Sequence, residues 1–134
     1  MKIEPYLFFE GRCDEAIEFY RNTLGAEATT IMRYGENPDP GSSPSGSENK
    51  VMHANLRIGE TTVMVSDGEC GGQPSFQGFS LTLTTKSQDE ARKWFESLSE
   101  GGQIQMPLSK MFFSPLFGMV MDRFGVSWMI LTMA

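Results

Sequence analysis

The only histidine of the chain, His53, stands in an alternating run, Val51-Met52-His53-Ala54-Asn55-Leu56-Arg57-Ile58. Successive side chains of a strand point to opposite faces, so His53, Asn55 and Arg57 share one face and Met52, Ala54, Leu56 and Ile58 the other. Histidine is the side chain whose charge changes near neutrality. With Tyr6 to orient it or donate a proton, and Glu10 or Arg57 to neutralise a polar ligand, His53 is a candidate general base. A plainer expectation stands beside it. A lone histidine is more often a hydrogen-bonded residue at a strand edge or a dimer seam, and Arg57, next to a hairpin, is by default exposed. Cys13, near the start of a helix, is where a thiolate would be favoured, although a small buried residue is the stronger expectation.

Composition removes several classes of function. The formal net charge is −6, which argues against nucleic acid and against an anionic membrane surface, since both need a basic face. Two cysteines, Cys13 and Cys70, make no disulfide framework. Lys2, Glu4, Glu10 and Arg12 interrupt any apolar leader, and no run is long enough to span a bilayer. The expectation is a cytoplasmic protein with reduced thiols. A single histidine excludes histidine-rich metal centres. The ten methionines are read first as core filling, and also as the lining of an adaptable ligand pocket.

The elements that must hold these residues repeat. Asp14-Glu15-Ala16-Ile17-Glu18-Phe19-Tyr20-Arg21-Asn22-Thr23-Leu24-Gly25 has an apolar stripe at helical spacing and a glycine at its end. Asp89-Glu90-Ala91-Arg92-Lys93-Trp94-Phe95-Glu96-Ser97-Leu98, closing in Gly101-Gly102, repeats it half a chain later. Ser87 with Glu90 reads as a capping box. Strands are predicted over 3–9, 28–34, 51–58, 61–66, 79–85, 103–108, 119–122 and 126–131, while Lys110–Leu116 finds no place. Each half is therefore β-α-β-β-β. One helix covers one face of such a sheet, so the other face lines a cavity or packs elsewhere. The fold class is α+β: two tandem βαβββ modules, about 1–68 and 76–134, forming a curved mixed sheet, a cup with the helices outside. Residues 69–75 read as the linker. The polar tract 35–50 reads as a mobile surface loop, either a lid or, by preference, a tolerated insertion.

The doubled βαβββ order, the segment at 14–25 and the closing Asp122-Arg123-Phe124-Gly125-Val126-Ser127-Trp128 resemble the vicinal-oxygen-chelate superfamily of glyoxalase I, extradiol dioxygenases and bleomycin-resistance proteins. Met52-His53-Ala54, Leu56-Arg57-Ile58-Gly59, Gly101-Gly102 with Met106-Pro107-Leu108, and Phe117-Gly118-Met119-Val120 are similar to its PhnB-like branch, often labelled as related to a 3-demethylubiquinone methyltransferase. The resemblance implies four metal-ligand positions on cup-facing strands. In this chain they fall on Tyr6, Met64, Thr82 (or Ser80, or Phe79) and Met129. A phenol, two thioethers and a hydroxyl are poor ligands for a hard divalent ion, so no catalytic metal and no cofactor are expected. The methyltransferase label is disfavoured because Gly71-Gly72 lies in a linker and Gly101-Gly102 follows a helix.

The reading is a metal-independent protein that binds a small organic ligand in a cup lined by Tyr6, Phe8, His53, Asn55, Arg57, Met64, Thr82 and Met129. The alternative is an isomerase, lyase or dioxygenase-like enzyme, with His53 as base or an unconventional metal site. The resemblance also implies a homodimer.

Overall fold

Proline has no N–H to give a ladder, and the first strand begins just after Pro5. It is β1, Tyr6–Phe8, shorter than the predicted 3–9. Glu10 at φ 48 and Gly11 at φ 105 end it and turn the chain into the helix α1, Cys13–Leu24. This computed structural model describes residues 1–39, 41 and 43–134; Pro40 and Ser42, within the tract expected as a loop, lie outside the described residues.

The strands of the first unit are β2 (Glu27–Arg33), β3 (Val51–Ile58) and β4 (Thr61–Ser66). Those of the second are β5 (Leu81–Thr85), β6 (Gln103–Met111), β7 (Ser114–Met121) and β8 (Ser127–Thr132), with α2 (Gln88–Ser99) between β5 and β6. The chain divides into two compact units, residues 1–74 and 75–134. Each has its own four-stranded mixed sheet, in the orders β1-β4-β3-β2 and β5-β8-β7-β6. The first and last strands of each unit run parallel and the remaining pairs are antiparallel. The fold is α+β, with two βαβββ modules, as the repeat predicted.

One side of each sheet is sealed. In the first unit Leu7, Phe9, Leu56, Val63 and Val65 are buried together with Ile17 and Tyr20 of α1. Gly25 closes α1 at φ 67, its N–H bonded to Arg21 O and that of Ala26 to Tyr20 O. Glycine adopts this left-handed cap without the steric cost of a Cβ. In the second unit Ala91, Phe95 and Leu98 of α2 are buried with Val120, Trp128 and Ile130. A Cβ on Gly118 would lie 2.9 Å from the Phe95 ring, so the glycine lets α2 approach β7 closely.

Ser87 caps α2 by accepting from Glu90 N at 3.1 Å. The return half of the predicted box runs through Thr85 instead. Its hydroxyl accepts from Ser87 N and donates to the Glu90 carboxylate. The tract after β2 is tied to its unit at several described points. Tyr34–Glu36 forms a 3-10 turn, Tyr34 donates to Gly68 O, and Lys50 Nζ donates to Gly11 O. Segment 110–116, unplaced by the sequence, is the β6–β7 hairpin, with Phe112 fully exposed at its tip.

Candidate functional site

The site is built on the open face of the first sheet. Tyr6 pairs with Met64, Met64 with Asn55 and Asn55 with Thr30, so these four form a row across β1, β4, β3 and β2. Residues directly opposite one another in a sheet share a face. The adjacent pair His53 and Met32 lies on the same face. Burial follows the alternation: Ala54 and Leu56 are buried, whereas His53 and Asn55 are half-buried and Arg57 is exposed.

Within this row the side chains make one hydrogen-bonded chain. Tyr6 Oη lies 3.0 Å from His53 Nδ1, and His53 Nε2 lies 2.9 Å from Asn55 Oδ1. An amide oxygen only accepts, so Nε2 carries the imidazole proton and Nδ1 accepts the Tyr6 hydroxyl. Phe8 stacks on the Tyr6 ring at 4.9 Å between centroids and 29° between planes, and is 51% exposed. The face thus offers an accessible aromatic surface, two thioethers and a polar line that runs from the tyrosine oxygen to the Asn55 amide.

The other expected residues are distributed differently. Arg57 turns to Glu27 in an exposed ion pair. Glu10 leaves the strand, and its carboxylate sits against Gly68, where a Cβ would meet Oε1 at 2.7 Å; among the described residues Oε2 has no hydrogen-bond partner. Thr82 and Met129 are paired on β5 and β8 of the second unit. Met119 is across from Met129, and Met106 across from Met119. Of this row the sequence pointed to Met129 but not to Met119 or Met106, nor did it point to Met32. Both rows depend on strand registers, which alternation within one strand does not reveal.

The positions where this fold would hold a metal carry a phenol, two thioethers and a hydroxyl. Tyr6 and Met64 are paired in one sheet, Thr82 and Met129 in the other. The Tyr6 oxygen is engaged by the imidazole, and thioethers are soft, neutral donors. This set does not fit a hard divalent cation.

Cys13 is fully buried, and burial, with Asp67 and Asp14 adding, pushes its thiol far above the usual value. The helix N-terminus does not make it a nucleophile. In the unfolded chain the thiol ionises from about pH 8.5, whereas in the folded protein it stays protonated. The folded state then binds more protons, so stability falls as pH rises past that value. Cys13→Ala should flatten this alkaline decline, measured by denaturant midpoints at about pH 7 and pH 10.

Two mixed βαβββ sheets define the class: the glyoxalase, or vicinal-oxygen-chelate, fold. Distant solved structures share it at the level of fold alone, among them a glyoxalase-related enzyme from Fulvimarina pelagi (16% identity, TM-score 0.65, covering 98% of this chain and 88% of that one) and the fosfomycin resistance protein FosX from Listeria monocytogenes (10%, TM-score 0.67, 100% and 93%). The profile of the 3-demethylubiquinone-9 3-methyltransferase family matches residues 1–131, and the chain belongs to this family, the PhnB-like branch. Protein YjdN of Escherichia coli is 38% identical over 97% of this chain and 94% of its own. The crystal structure of PA1353 from Pseudomonas aeruginosa is 37% identical with a TM-score of 0.87, covering 99% and 98% of the two chains. A PhnB protein from Bacillus cereus is 32% identical with a TM-score of 0.81, covering 98% and 99%.

Proposed function

We propose that the protein binds a small organic ligand on the open face of its first sheet, without a metal ion. Apolar contact comes from Phe8, Met64 and Met32, and orientation from Tyr6, His53 and Asn55. The observation that carries this reading is the occupation of both His53 ring nitrogens, at 3.0 and 2.9 Å. An imidazole whose acceptor nitrogen already holds a tyrosine hydroxyl serves to fix polar geometry. A substrate proton could reach that nitrogen only by relay through the Tyr6 oxygen.

The methyltransferase description of the family finds little support in these residues. Gly101 and Gly102 follow α2, and Gly102 is required by packing, since a Cβ there would sit 2.2 Å from Met121 O. Isomerase or lyase chemistry remains the second reading, supported by the Tyr6–His53 contact as a proton path.

Equilibrium dialysis of chelator-treated protein against a cell-derived small-molecule extract, read by mass spectrometry, tests the proposal. A compound enriched unchanged with metal absent, and lost in Phe8→Ala, is the expected result. Enrichment only after a divalent metal is restored, or conversion of the compound, contradicts it.

The partner this reading expects is a second copy of the chain. The edge strands β2 and β6 carry partly exposed Ile31, Met32, Ile104 and Met106, and such edges call for cover. Sedimentation at micromolar concentration should give twice the 14.9 kDa chain mass; a monomer contradicts the expectation. Among the described residues no helix is long and apolar enough to cross a membrane.

A further inference from the structure

We infer that the site reads its ligand through the Tyr6 oxygen, which accepts a hydrogen bond while His53 is neutral and donates one once His53 is charged, so that the matching ligand carries an O–H or N–H group beside an aromatic ring. The inference rests on the open face being a binding surface.

It follows from counting protons along the chain of three residues. Asn55 Oδ1 accepts from His53 Nε2–H. A neutral imidazole has one N–H, so Nδ1 offers only a lone pair, and the Tyr6 hydroxyl must donate to it. A hydroxyl has a single proton. What remains for a ligand at Tyr6 is oxygen lone pairs. A ligand carbonyl or ether would meet them lone pair to lone pair, whereas a ligand hydroxyl or amine is matched.

Protonation of His53 inverts this without moving a heavy atom. Both ring nitrogens then donate. Asn55 Oδ1 goes on accepting, Tyr6 Oη now accepts from Nδ1–H, and the phenolic proton rotates outward. The groups facing His53 permit the change to be local. Arg57 is paired with Glu27, and Lys2 with Glu4 near the start of β1. Strand β4 brings no charged side chain, its residues being Thr61-Thr62-Val63-Met64-Val65-Ser66. From β2 the directly paired residue is Met32.

The aromatic half of the ligand is specified by the same face. Phe8 is stacked on Tyr6 yet half exposed, leaving ring surface beside the tyrosine oxygen. Met64 stands directly across from Tyr6. Aromatic faces and flexible thioethers both favour contact with a flat ring.

Two measurements on the intact chain test the inference. Because His53 is the only histidine, its ring nitrogens are unambiguous in a nitrogen-15 spectrum. The Nε2–H tautomer is expected for the neutral ring, and an Nδ1–H tautomer overturns the inference. The second compares 4-methylphenol with its methyl ether, 4-methylanisole, by chemical shifts of the Met64 methyl group. With neutral imidazole the phenol should bind about fivefold tighter, the worth of one ordinary hydrogen bond. The preference should vanish in Tyr6→Phe and on charging the imidazole, because the ether can then accept from Tyr6. Equal binding of both probes at neutral imidazole, or a preference that survives Tyr6→Phe, overturns this inference and leaves the binding surface standing. No shift at Met64 with either probe overturns both.

Discussion

Asp67→Ala should destabilise the protein by about 3 kcal/mol, more than any change at the exposed ion pairs. The Asp67 side chain is completely buried. Its Oδ1 accepts from Cys13 N and its Oδ2 from Val51 N, both at 2.7 Å. Cys13 opens α1, and the residue at the local cap position, Arg12, makes no side-chain capping bond. A carboxylate 54 residues away in sequence therefore performs the capping and faces the positive end of the helix dipole. The other oxygen pins the start of β3, two residues before His53. Alanine leaves two buried N–H groups without acceptors, and each orphan costs about 1–3 kcal/mol. Asp67→Asn keeps one oxygen and should cost about half as much. The denaturant midpoint measures both; a loss below about 0.5 kcal/mol for the alanine variant, typical of a surface change, would contradict the role.

Gly102→Ala has a comparable effect in the second unit and a different cause. The glycine does not need a left-handed backbone. It needs empty space, because a Cβ would sit 2.2 Å from Met121 O and 3.0 Å from the Asp122 backbone. Gly102 leads into β6, whose first residue, Gln103, pairs with Met121. Backbone atoms in a ladder yield less easily than the end of a side chain, so the strand must shift. About 3 kcal/mol or more is the expected cost. Gly101→Ala would be strained for the other reason, its φ of 73. A Gly102→Ala protein with an unchanged melting transition would show that β6 starts elsewhere.

These two positions mark where sequence reading reaches its limit. Gly101-Gly102 was legible as the end of a helix, but the close approach of Met121 was not. Asp67 was not singled out, because nothing local shows that its partners are Cys13 and Val51. What could be read was whatever has a period. The stripe of α1, buried at Ala16, Ile17, Phe19 and Tyr20, its glycine stop, and the alternation of β3 around the buried Ala54 and Leu56 return in the structure. Strand β6 shows the opposite. Nearly every residue from Gln103 to Met111 is exposed, on both faces, so there is no buried side to write an alternation. The prediction accordingly stopped at 108 and left Lys110–Leu116 unplaced. The bulges of β2, at Ala28/Thr30 and Met32/Arg33, hid Met32 for a related reason, since each shift breaks the parity from which a face is inferred.

The candidate site was legible in part. Alternation put His53 and Asn55 on one face, and Tyr6 was named as the group that would orient the histidine. The direction of the hydrogen bonds needed the structure. Asn55 is the residue that fixes the tautomer, and the Tyr6 oxygen, at the other end from the Asn55 amide, keeps its lone pairs. The predicted partnership of Arg57 with a ligand was displaced by Glu27, a register pair on the neighbouring strand.

The central claim, a ligand held on the open face of the first sheet without metal, is tested most directly by methionine-methyl NMR of chelator-treated protein. Aromatic hydroxyl compounds would be titrated in before and after adding a divalent cation. The account predicts shifts concentrated at Met64 and Met32, with affinities that the cation leaves unchanged. Shifts that arise only after the cation is added would contradict it.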